Sequence, residues 1–266
     1  MLSLLAAGAL HATAVQDAFA HLYNFDFPGA HRIADGYIAK NPSDPMGYCV
    51  RGSAYLFSEL DRLLILESEF FEDDKKLSTK RRLKADPVIR ERFYAAVGEA
   101  KSRANARLAA NPKDENSLFA LSITSGLVTD YASFIEKRHL DSLALAKESQ
   151  SYATRLLQLD PNYTDAYLTN GISEYLLSSL PFFVRWFVHF EGVEASKPQA
   201  VQNLERVAQS GKYLGPFAKI LLAVIYLREK QPAKSQALLA ELHRAYPENP
   251  LFRKELEKIA SRSEAR

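Results

Sequence analysis

Residues 213–250 read YLGPFAKILLAVIYLREKQPAKSQALLAELHRAYPENP. In the first half Leu222, Ala223 and Tyr226 recur at helical spacing. Lys230-Gln231-Pro232 ends that run, because proline lacks the amide donor and fits best in the first turn of a new helix. The second half carries Ser235, Leu239 and Leu242 on one face and stops at Tyr246-Pro247. Small residues, Ala223 and Ser235, stand where two helices must approach closely, and large ones fill the space beside them. Such a hairpin cannot bury its apolar face alone. It must stack on copies of itself.

The copies are in the chain. Ala30 lies twelve residues before Pro42, as Ser235 lies twelve before Pro247, and Ala100 and Ser149 stand at the same distance before Pro112 and Pro161. Gly52, Ser122 and Gly171 each fall ten residues after one of these prolines. The spacing predicts five helix hairpins, over 12–41, 45–111, 115–160, 164–212 and 213–246, and a terminal helix over 250–261 with a charged outer face. The fourth hairpin departs from the pattern, because Tyr213 stands where proline is expected. Insertions are expected near 61–86, 127–140 and 178–196; the first is a dense block of mixed charge, expected to be solvated.

Leu222, Ala223, Tyr226, Ser235, Leu239, Leu242 and Pro247 match, in order, the signature positions of the tetratricopeptide repeat (TPR), and the chain resembles that family. The resemblance implies an all-α, right-handed α-solenoid of about five TPR-like hairpins with a C-terminal capping helix, forming one domain over 15–266. It also implies which first-helix positions face the concave groove. These are Met46, Cys49 and Leu56 in the second copy, and Phe119 and Ile123 in the third. The fourth supplies Leu168, Ile172 and Tyr175, and the fifth Phe217, Ile220 and Val224. Family members that clamp a peptide carboxylate place Lys, Arg and Asn there; this lining is almost entirely apolar.

The net charge is +2, with acids interspersed among the bases, so no nucleic-acid footprint is expected. Cys49 is the single cysteine, which excludes an internal disulfide and leaves no cysteine-based metal site. The six histidines form no His-x-x-x-His pair, and neither a Gly-rich phosphate loop nor a Gly-x-Ser-x-Gly elbow is present. No catalytic residue, cofactor or metal is expected, and the chain reads as non-enzymatic.

Residues 1–14, MLSLLAAGALHATA, are apolar and end on the small-x-small pattern Ala12-Thr13-Ala14. They read as a signal segment for export, to a bacterial periplasm. If they form a repeat helix instead, the location is cytoplasmic.

An apolar groove left wet is costly. At about 25 cal/mol per Å², several hundred Å² forfeits on the order of 10 kcal/mol, comparable with a domain's net stability. An occupant is expected: an inserted segment, a helix of a protein partner, or a hydrophobic small molecule handled beside a transporter. Residues 180–191, LPFFVRWFVHFE, are the candidate insert. As a helix they would put Phe182, Phe183, Trp186, Phe187 and Phe190 on one wide face. Arg185 is its one Lys or Arg, too few for a basic polar face, so membrane contact is not expected.

Overall fold

The computed structural model describes residues 2–66, 84–179 and 196–264, with side chains at 13–66, 84–179 and 196–262. Among these residues it holds eleven α-helices. They are α1 (Leu2–Tyr23), α2 (Phe27–Lys40), α3 (Pro45–Arg62), α4 (Pro87–Ala110), α5 (Glu115–Asp130) and α6 (His139–Leu159). Then follow α7 (Tyr167–Ser179), α8 (Lys197–Ser210), α9 (Gly215–Arg228), α10 (Pro232–Ala245) and α11 (Pro250–Glu264).

Local chemistry sets the helix starts. Asp26, Asp44, Asp86, Asp114 and Ser196 each accept a backbone N–H of the first turn through the side chain, and Pro28, Pro45, Pro87 and Pro198 sit in the first turns of α2, α3, α4 and α8. Two turn geometries then alternate. From second helix to next first helix, the chain makes one tight turn four times: Asp44 N to Asn41 O (3.0 Å), Asp114 N to Asn111 O (3.0 Å), Tyr163 N to Asp160 O (3.1 Å) and Asn249 N to Tyr246 O (3.2 Å). From first helix to second, the chain passes through a left-handed residue, Phe25, Leu64, Lys137 or Lys230, with φ between 56° and 62°. Three of these close with paired Schellman bonds, as in Gln231 N to Tyr226 O and Lys230 N to Leu227 O.

Consecutive helices pack in chain order: α1 on α2, α3 on α4, α5 on α6, α7 on α8, α9 on α10, each pair stacked on the next, with α11 against α10. This is an all-α solenoid of five hairpins and a capping helix. The small residues read from the sequence lie at the crossings. Ala30, Ala100 and Ser235 have no exposed surface, and Ser122 and Ser149 exchange hydroxyl-to-carbonyl bonds across α5 and α6 (3.1 and 2.8 Å). At Gly171 an added Cβ would stand 3.0 Å from the Ala200 backbone oxygen, so α7 and α8 meet there at backbone distance. The capping helix turns Phe252 and Ile259 inward onto Leu239 and Leu242.

The chain differs from the simple repeat in two places. α1 runs unbroken from Leu2, through the apolar segment, to Tyr23. Its described core residues begin at Val15, with Ala18, Phe19 and Leu22 following. In the third hairpin, part of the expected insertion is a π-helical turn, Tyr131–Ile135, that prolongs α5. Tyr131 stacks on Phe93 with ring centroids 4.5 Å apart, and Leu56, Leu60, Ile65, Val97 and Ile135 complete a second core around them. At its edge the buried Glu59 carboxylate accepts from the Arg62 guanidinium (2.7 Å) and the Asp86 N–H (2.8 Å), tying the end of α3 to the start of α4.

Candidate functional site: the concave face

The groove residues expected from the sequence divide into two sets. Met46, Cys49, Leu56 and Phe119 have at most 1% of their surface exposed, and Leu168 and Tyr175 are also buried. Ile123, Ile172, Phe217, Ile220 and Val224 are half-buried. Phe182, Phe183, Trp186, Phe187 and Phe190 lie outside the described residues.

What buries the first set is the chain itself: Leu56 lies in the second core with Phe93 and Tyr131, and the others in the main core. Tyr213, the residue that replaces proline, turns into the concavity. Its ring lies 5.9 Å from the Phe119 ring in a stacked pair and 5.9 Å from Phe19 of α1. Tyr163 also packs on Phe119, with ring centroids 5.0 Å apart. Nearby, Phe57 meets Phe217 edge-on at 5.7 Å, joining the second and fifth hairpins directly.

Asp165 holds this plug in place. It is 3% exposed, and its carboxylate accepts the backbone N–H groups of Lys212 (2.9 Å), Tyr213 (3.2 Å) and Leu214 (2.9 Å). Burial pushes its carboxyl above the ordinary range, and the three amide bonds and the Lys212 charge offset part of that shift. The loop between α8 and α9 is therefore pinned by a carboxylate where the other copies use proline.

The first hairpin completes the closure. Tyr23 donates its hydroxyl to the Tyr213 carbonyl (2.9 Å), and Asn249 donates its side-chain amide to the Tyr23 carbonyl (2.9 Å). Glu248 N bonds to Asn24 Oδ1 (3.0 Å), and Gln16 Nε2 to the Lys212 carbonyl (3.2 Å). The Tyr23 ring also packs on Tyr246 at 5.6 Å. Burial drives the Tyr23 phenol well above its usual pKa, so it stays a neutral donor. One rim of the curve is thus clasped between its first and last repeats.

Cys49 is fully buried, with Sγ 3.7 Å from the Ala120 carbonyl and 3.5 Å from Thr124 Oγ1. Burial raises its thiol to about 12, so it packs as a small apolar residue rather than a nucleophile. Among the described residues there is no group of three or more His, Cys, Asp or Glu side chains able to hold a metal ion.

Sequence reasoning placed Asp165 on this face but missed its grip on the loop, and it missed Tyr213 as the residue that fills the concavity. The broken proline at Tyr213 was the one signal available. No protein-family model and no curated relative matches the chain. Among solved structures it is similar to a thermophilic TPR protein of Thermus thermophilus, with 14% identity, TM-score 0.48, and coverage of 94% of this chain and 98% of that one.

Proposed function

We propose that the chain is a non-enzymatic helical-repeat scaffold that holds a protein partner on the part of the concave face its own plug leaves uncovered. The observation that carries this reading is the half-buried aliphatic lining of Ile123, Ile172, Ile220 and Val224, on α5, α7 and α9. A lining of this kind is stabilised by a dry occupant, and an amphipathic helix laid in a groove is one polypeptide form of it. A photo-crosslinking residue at position 172, compared with one at the exposed position 102 of α4, tests it. A defined polypeptide adduct at 172 and none at 102 is expected; equal labelling at both positions, or none at 172, contradicts it.

A hydrophobic small molecule, handed on beside a transporter, is the second reading. The aliphatic lining favours it as well, since it offers shape and apolar area but few directional bonds. Native mass spectrometry distinguishes the two: a small mass released with solvent supports the second.

The scaffold works, on this proposal, outside the cytoplasm of a bacterium. The apolar segment over residues 1–14 supports export, and removing it would leave Val15, Ala18, Phe19 and Leu22 in their packing. N-terminal sequencing of the cell-fractionated protein checks this, with Val15 as the expected first residue.

A further inference from the structure

Phe119, Ile123, Gly126 and Asp130 follow one another along a single face of α5 at spacings of four, three and four residues. Phe119 is buried under Tyr213, and Ile123 is half-buried below it. At Gly126 the wall is missing. An added Cβ would find one neighbour within 4 Å, Ser149 Oγ at 3.7 Å, whereas the matching position of the second and fourth hairpins holds Leu56 and Tyr175. The stripe therefore has a notch, and Asp130 stands one turn beyond it.

Asp130 is half-buried, and among the described residues no hydrogen bond or ion pair reaches its carboxylate; loss of water is the one influence acting on it. Half-buried Asp61 is alike in having loss of water as the one influence acting on it, whereas three other acids at least as buried are satisfied. Glu136 accepts from Arg90 (2.7 Å) and Tyr94 (3.0 Å), Glu174 from Asn203 (2.8 Å), and Asp165 from three amides. A desolvated carboxylate that the fold leaves unpaired, at the end of an apolar wall, is complementary to a cation on an apolar stem.

We propose that Asp130 and the Gly126 notch receive a lysine side chain of the partner segment that lies on Ile123 and Ile172. The ammonium pairs with the carboxylate, and the methylene stem fills the space a side chain at 126 would occupy. The inference rests on the scaffold reading above and commits it to a partner with a basic residue flanked by apolar ones.

The test uses the full chain and two short fluorescent helical peptides of alanine and leucine. They are identical except for lysine or norleucine at the central position. The lysine peptide is expected to bind about tenfold or more tightly than the norleucine peptide. Asp130→Asn should remove that difference and leave norleucine binding unchanged, and Asp130→Glu should restore part of it. Equal binding of the two peptides by the unaltered protein overturns the Asp130 assignment while leaving the groove reading standing. Failure to bind either peptide overturns both. Hexylamine held in an Asp130-dependent way, with no binding of the lysine peptide, also overturns the proposal, because the cation would then come from a free amine. Thermal melts of both variants exclude misfolding as the cause of any loss.

Discussion

Tyr213 shows how one residue can break a repeat and still serve it. Proline at this place would stiffen the turn; tyrosine fills the concavity and leaves the turn to Asp165. Tyr213→Ala should cost about 3–5 kcal/mol in urea unfolding, the range for losing a buried aromatic ring. Tyr213→Phe keeps the ring and the backbone bonds and should cost less than about 1 kcal/mol. Asp130 makes a second residue-scale prediction. Burial raises its carboxyl to about 7 in the folded chain, against an ordinary value near 4 in the unfolded one. Its contribution is intact below the unfolded value and is lost as pH rises through about 7, because the folded state then has to hold a charge it cannot solvate. Asp130→Asn should therefore melt close to the unaltered protein at acid pH and above it at alkaline pH. A melting difference that does not vary with pH contradicts this. The anomaly at Tyr213 was visible in the sequence. Asp130 was not, because one acid in a mixed-charge chain carries no local signal; its meaning comes from what does not surround it.

The elements were largely legible, since caps, prolines and small crossing residues are local instructions. The start of α4 at Pro87 and its end at Ala110 follow from the Asp86-Pro87 cap and the Asn111-Pro112 turn. The continuous α1 and the π-helical turn after Asp130 were less so, because helix continuation depends on packing as well as on propensity. A recurring tie between hairpins carries no local sequence signal: Arg103, Arg155 and Arg206 each donate to the carbonyl of the proline that closes the preceding hairpin, Pro42, Pro112 and Pro161. Arg206 lies at the same time 4.0 Å above the Tyr167 ring. Arg206→Ala should cost about 0.5–1.5 kcal/mol through the lost bond and stacking. Lys230→Gly should do the opposite. Lys230 is exposed, at φ 57°, and glycine enters that region without the steric penalty. A gain of about 0.5–1 kcal/mol in urea unfolding is expected, the glycine's greater unfolded freedom offsetting part of the relief.

At the scale of the whole molecule, the repeat spacing describes an open trough, and the chain is partly closed. Periodicity specifies which helix lies against its neighbour in sequence. It does not specify how tightly the stack curves, so it could not place Tyr23 against Asn249, 226 residues away. That closure changes how the protein should unfold. In an open solenoid each repeat leans only on its neighbours and the ends fray first. Here Tyr23, Tyr213 and Asn249 bond the first hairpin to the last, so neither end can leave without uncovering the Phe19–Tyr213–Phe119 stack.

Native-state hydrogen exchange measures this directly. Amides of residues 15–23 in α1 and of α9 are predicted to exchange with the same free energy as those of α5 at the centre of the array, and to lose that protection together in Tyr213→Ala. Protection that falls away stepwise from α5 toward both ends, unchanged by the substitution, would mean that the trough is open and its ends independent.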